Sequence, residues 1–226
     1  MLVYNLARVR ARIRAACVRV GRDPSSVTLV AVTKGMAVER MREAVALGLA
    51  DLGENRVQEA RAKQLALSPE PIRWHLIGHL QRNKVTQAVE LFSVIHSVDS
   101  IELAETLERH MNKPLEVFAQ VNVSGEDTKF GCTMEEALPL ARRVMQLPHL
   151  RLRGLMALAP FAENPEQARP HFRRLRELRD EMDSTLHPAP CTLHLSMGMS
   201  GDFEVAIEEG ADLVRIGTAL FKGQGT

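Results

Sequence analysis

Residues 27–36 read VTLVAVTKGM, a run of apolar and β-branched side chains that ends in Lys34 and a glycine. Such a run is a candidate strand buried on both faces. An amine at its mouth that loses part of its hydration has a lowered pKa and becomes a nucleophile able to condense with an aldehyde. Taken alone the residue says little, because most lysines that follow strands are solvated. Two segments at the far end of the chain add to it. LSMGMSGDFEVAIEEG (195–210) and VRIGTALFKG (214–223) each run from a short apolar strand into small residues. Ser200 and Gly201 are placed to open a helix, and Gly217 to make a tight turn, which structural roles alone would explain. Acting together, the two loops can instead hold an anion on backbone N–H groups. Lysine and loops would then grip a phosphorylated aldehyde at both ends. Arg215 stands in the otherwise apolar DLVRIG. Either it pairs with a carboxylate inside the fold or it faces a cofactor ring nitrogen. In the second case the guanidinium has no acid proton to share, so that nitrogen stays unprotonated and the ring is a poor electron sink.

These groups need a scaffold that brings both ends of the chain to one face. Strand candidates fall at residues 28–33, 50–53, 73–77, 92–97, 116–121, 151–156, 192–195 and 212–216, separated by amphipathic stretches such as AVERMREAVALG, SIELAETLERHM and PEQARPHFRRLRELRDEM. Ser100 and Thr133 are candidate N-caps, and Gly48 and Pro114 are stop signals. Strand then helix, eight times over, predicts a closed (β/α)8 TIM barrel in one domain spanning residues 1–226, with an open doubly wound sheet as the alternative. In a barrel the loops that follow the strands share the C-terminal face, where active sites are built. The opening MLVYNLARVRARIRAACVRVGR is rich in arginine, with no acid before Asp23. Yet Leu2, Leu6, Val9, Ile13, Ala16 and Val20 form one apolar stripe, so an extra N-terminal helix is expected, packed on the barrel with its arginines in solvent.

Composition narrows the function. With 29 basic against 28 acidic side chains and only 4% aromatics, the chain has neither a general pull toward nucleic acid nor a base-stacking surface. No apolar run reaches the ~18 residues of a membrane span. Cys17, Cys132 and Cys191 are odd in number and far apart, which suggests no disulfide framework and fits a reducing cytoplasm. His75 and His79 lie four apart in WHLIGHLQRNK but lack an obvious third ligand, so structural histidines are expected rather than a metal site. Lys84 ends that string as a second amine that could accept or hand on the aldehyde.

The strings VAVTK, GENRVQEA, WHLIGHLQRNK, HSVDS, VNVSGEDTKFG, GLMALAP, LSMGMSGDFEVAI and VRIGTALFKG span almost the whole chain. Together they resemble the pyridoxal phosphate (PLP) homeostasis protein family, single-domain relatives of bacterial alanine racemase. The resemblance implies a fold-type III PLP barrel without the racemases' β-rich second domain. It implies that Lys34 carries PLP as an internal aldimine and that Arg215 faces the pyridine nitrogen. Ser200, Gly201, Gly217 and Thr218 would hold the phosphate, Met199 would add a backbone contact, and Asn55 would line the ring. The implied role is to buffer, deliver or regulate PLP in the cytoplasm, without catalysis, with PLP-dependent apoenzymes and amino acids as partners and no membrane or nucleic acid.

A PLP-dependent racemase or lyase is the alternative. Racemases of this kind pair the lysine with a tyrosine from a partner subunit's second domain. Here the sequence ends at Thr226 and its single tyrosine is Tyr4, so no second base and a monomer are expected. A retro-aldol lyase would need the added domain and usually a divalent metal. A class I aldolase, with Lys34 as Schiff base to a sugar phosphate, remains a third reading.

Overall fold

The computed structural model describes residues 1–126, 128–186 and 192–222; Cys191, and Asp127 and Gly223 of the strings above, lie outside these. A first helix, α1 (Leu2–Arg19), precedes a regular alternation: β1 (Thr28–Val32), α2 (Val38–Ala46), β2 (Asp51–Glu54), α3 (Val57–Leu67), β3 (Arg73–Leu76), α4 (Val85–Leu91), β4 (Val94–Val98), α5 (Ile101–His110), β5 (Leu115–Gln120), α6 (Met134–Met145), β6 (Leu150–Met156), α7 (Arg169–Leu186), β7 (His194–Ser196), α8 (Phe203–Glu208), β8 (Leu213–Ile216) and α9 (Thr218–Phe221). The strands pair in parallel and in chain order, and β8 returns to β1, so the sheet closes into the expected barrel and the open sheet is excluded. Both expected caps form. Ser100 accepts from the Leu103 N–H, and Thr133 and Glu136 make a reciprocal capping box.

The main apolar core lies between the strands and the helices around them, built from residues such as Leu52, Leu76 and Ile95 packed with Leu103, Leu107 and Leu140. A small separate cluster, Val94, Phe118 and Met156, sits inside the barrel. Side chains two apart on a strand share a face, so His96 follows Val94 into the interior and Arg215 follows Leu213. Buried interior positions therefore include His75, His96, Ser196 and Arg215, where a barrel of this class is ordinarily filled by branched apolar residues.

Helix α1 docks where expected, with two corrections. Leu2, Leu6, Val9, Ile13 and Ala16 are buried, but Cys17 and Asn5 complete the stripe while Val20 is exposed. The helix ends at Arg19, so the period that placed Val20 on the stripe is broken there. Nor are all its arginines simply solvated: Arg12 pairs with Glu204 and Arg19 with Glu208, because α8 presents its acids to α1. Burial decides the docking, since each large apolar side chain contributes roughly 1.5–3 kcal/mol against about 0–1 for such a surface pair. Asn5 also donates to the carbonyls of Leu220 and Lys222, so α1 clasps the helix that follows β8.

Candidate functional site

Lys34 lies just past β1 in a turn closed by the Met36 N–H on the Thr33 carbonyl at 3.0 Å. Gly35 follows it at φ +68°, a left-handed conformation that glycine adopts without strain. The glycine thus turns the chain away and leaves the lysine exposed, rather than desolvated as its strand suggested. The strand end beneath is held from outside the barrel. Glu54, completely buried, accepts from Thr33 Oγ1 at 2.6 Å and from Lys63 Nζ at 2.7 Å, and Lys63 also donates to the Thr33 carbonyl at 2.8 Å. The amine bonded beside Lys34 is therefore Lys63; Lys84 is half-buried in a single 3-10 turn ahead of α4.

Across the same face, the loops after β7 and β8 are tied together by Ser200. Its Oγ accepts from the N–H groups of Gly217 and Ala219 at 3.3 and 3.2 Å. Ser200 thus serves the start of α9, and α8 opens at Phe203 instead, after Asp202. A Cβ on Gly217 would come within 3.3 Å of Val32, so this loop packs directly on the strand that leads to Lys34. The N–H groups of Ser200, Gly201 and Thr218 have no acceptor among the described residues. The backbone of Met199 is already engaged: its N–H donates to Asp202 Oδ1 at 2.6 Å and its carbonyl accepts from Asp202 and Phe203. Asn55 follows β2 and is half-buried against the loop after β3, where a Cβ on Gly78 would overlap the Asn55 carbonyl.

Arg215 lies below, inside the barrel. No carboxylate among the described residues pairs with it; Nη1 donates to the Ser196 carbonyl and Oγ, both at 2.6 Å, and Nη2 to the Ala157 carbonyl at 2.8 Å. Its Nε has no hydrogen bond among the described residues. Burial pushes its pKa down to about 10 against the pull of Asp202, so it stays charged at neutral pH. His75 is not grouped with His79. It points into the interior and meets Asp51 and His96, whereas His79 stacks on Phe130 and contacts Asp99 at the C-terminal face. An open depression of about 720 Å³ is lined by His79, Arg82 and Asp99, among others. Its lining includes none of the residues placed around Lys34, Ser200 or Arg215.

Burial holds both interior histidines neutral. It lowers the pKa of His75 despite the opposing pull of Asp51, and that of His96 well below the usual range. Unfolding restores a pKa of about 6.5, so below that pH the unfolded chain takes up protons that the folded chain does not. Their contribution is fully present above about pH 6.5 and is lost as the pH falls. Stability should therefore fall as the pH drops below about 6.5, with the larger share of the slope from His96, whose pKa is depressed further than that of His75. Urea unfolding at stepped pH checks this: His96→Gln should make the slope shallower, and a flat wild-type profile would contradict it.

A closed barrel with a lysine after its first strand and free N–H groups after its last two defines a class. The family model for the alanine racemase N-terminal domain matches residues 4–225. The chain belongs to the pyridoxal phosphate homeostasis protein family within it. It is 49% identical to the protein of that name from Pseudomonas aeruginosa, covering 97% of this chain and 94% of the other, and 46% identical to that of Aquifex aeolicus, covering 96% of each. Among solved structures it is similar to PipY of Synechococcus elongatus with PLP bound, at 36% identity and a TM-score of 0.83 over 98% of this chain and 100% of the other. An alanine racemase of Clostridium difficile superposes with a TM-score of 0.74 at 14% identity, covering all of this chain and 57% of the racemase. That likeness is one of fold alone.

Proposed function

We propose that the chain binds PLP through Lys34 and buffers or hands on the cofactor, without turning over a substrate of its own. The observation that carries this reading is the convergence at one end of the barrel of an exposed lysine, three backbone N–H groups without acceptors among the described residues and, below them inside the barrel, a buried arginine with two N–H groups to spare among those residues. That donor set fits a phosphorylated pyridine aldehyde. When bound, PLP supplies an aldehyde that an amine captures covalently.

Each residue then has a task. Lys34 offers the amine, and its exposure lets a second amine, from an amino acid or an apoenzyme lysine, approach and displace it. The N–H groups of Ser200, Gly201 and Thr218 receive the anionic end, while Gly217, bonded through Ser200, lets that loop sit close against β1. Arg215 meets the ring nitrogen with a donor that does not surrender its proton, which suits holding over catalysis. Asn55 borders the ring, whereas the Met199 backbone, expected to add a contact to the phosphate, is committed to Asp202 and Phe203. The names of the Pseudomonas and Aquifex relatives and the PLP in PipY support the reading. So does Tyr4, the sequence's one tyrosine, which lies on the exposed face of α1. A cytoplasmic monomer is the form in which such a carrier would meet its acceptors.

Purified protein mixed with PLP should carry a visible absorbance band through gel filtration and show little amino-acid turnover. Saturable turnover of one amino acid at roughly 1 per second or more would overturn the carrier role. Colourless protein that takes up a sugar phosphate instead would favour an aldolase.

A further inference from the structure

We propose that His75 and His96 are positioning residues for Arg215, acting through a hydrogen-bonded chain of fixed direction that crosses the barrel from Asp51 to Ser196. The role toward PLP rests on the function proposed above; the direction of the chain does not.

The direction follows from which atoms can donate. Asp51 begins β2 at the mouth opposite Lys34, its side chain 26% exposed. An ionised carboxylate only accepts, so His75 donates from Nε2 to Asp51 Oδ1 across 2.9 Å. A neutral imidazole carries one N–H. Nδ1 of His75 therefore accepts, and its neighbour at 2.9 Å, His96 Nε2, donates. With its single proton on Nε2, His96 accepts at Nδ1, and Ser196 Oγ donates to it at 2.8 Å. The Ser196 lone pairs are then left to receive Arg215 Nη1 at 2.6 Å. Every donor points from Arg215 toward Asp51.

Little else could satisfy these groups. His75, His96, Ser196 and Arg215 are between 0 and 3% exposed, and Phe118 stacks on the His96 ring at 4.6 Å, fixing its plane. Two consequences follow. The serine oxygen always presents an acceptor to Arg215, which pins the guanidinium together with the Ser196 and Ala157 carbonyls. In addition, no histidine or serine proton faces the pocket above. To send one there, each bond would have to reverse, and the Ser196 proton would confront the arginine's own N–H. The chain therefore withholds protons from any ring nitrogen that Arg215 meets.

The first test needs no cofactor. Nitrogen-15 NMR of the histidine-labelled full chain at neutral pH, assigned with His75→Gln and His96→Gln, should show both rings as the Nε2–H tautomer. Asp51→Asn, whose amide can donate as well as accept, should shift part of the population to Nδ1–H. An Nδ1–H tautomer or an imidazolium at either ring of the wild type overturns the chain. The second test uses PLP. His96→Leu should weaken retention about tenfold, the loss of roughly one hydrogen bond's worth of positioning, and shift the visible band. His96→Gln can still accept from Ser196 and donate to His75, so it should stay within about twofold. Ser196→Ala serves if the leucine variant does not fold, with the same tenfold loss expected. A folded His96→Leu or Ser196→Ala that holds PLP like the wild type, with an unchanged band, removes the positioning role. A wild type that fails to hold PLP sinks the proposed function and leaves the tautomer result standing.

Discussion

Lys63→Met should destabilise the fold by about 3–5 kcal/mol, the usual cost of stranding one member of a buried ion pair. Glu54 is completely buried, and its second oxygen, Oε2, has no partner among the described residues. Without the ammonium, the carboxylate would keep only the Thr33 hydroxyl. The same loss leaves the Thr33 carbonyl, one residue before Lys34, with the Met36 N–H alone among the described residues, so weaker PLP retention should accompany the lower melting temperature. The double variant Lys63→Met with Glu54→Leu should recover much of the stability, since an apolar replacement of the whole pair leaves no charge unmatched. Chemical denaturation of the two variants decides it. A single variant within about 1 kcal/mol of wild type would mean that the pair is not a buried strut.

Gly154→Ala is the second large effect, and it is steric. A Cβ at this position of β6 would lie 1.8 Å from the His194 carbonyl and 2.6 Å from its nitrogen. These are backbone atoms of the paired strand β7 and cannot swing aside. The strands must part, at a cost of about 3 kcal/mol or more. The damage should also reach the site, because Ser196, two residues after His194 at the end of β7, and Ala157, just past the end of β6, hold Arg215. Expected outcomes are a lowered denaturation midpoint and lost PLP retention, whereas Gly201→Ala, with open space around its Cβ, should melt like the wild type.

The barrel was legible because its signals are local and repeated: eight apolar runs, each ended by turn or cap residues, recur at the spacing of strand and helix. Strand ends moved by up to two residues, as expected where side-chain pattern rather than pairing defines them. The N-terminal stripe was legible up to Ala16 and failed at Val20, where the helix had already ended. Lys34, Ser200, Gly201 and Gly217 stood out by residue type at strand ends. Their partners did not. That Ser200 would serve α9 rather than α8 depends on how two loops cross, and the sequence carries no periodic trace of that. Lys63 reads as one more polar residue on an amphipathic helix. The Asp51, His75, His96 and Ser196 chain did leave a trace: each is a polar residue in or at the end of a strand inside a closed sheet, where burial demands a partner. Which residues answer one another is set by the barrel's closure, which brings Ser196 to His96 across 100 positions of sequence.

The most direct measurement is borohydride reduction of the PLP-loaded protein followed by peptide mapping with mass spectrometry. A pyridoxyl group on Lys34, absent from Lys34→Ala, is the expected result. The label on Lys63, Lys84 or another side chain, or on none, would contradict the assignment of Lys34 as the amine that holds PLP.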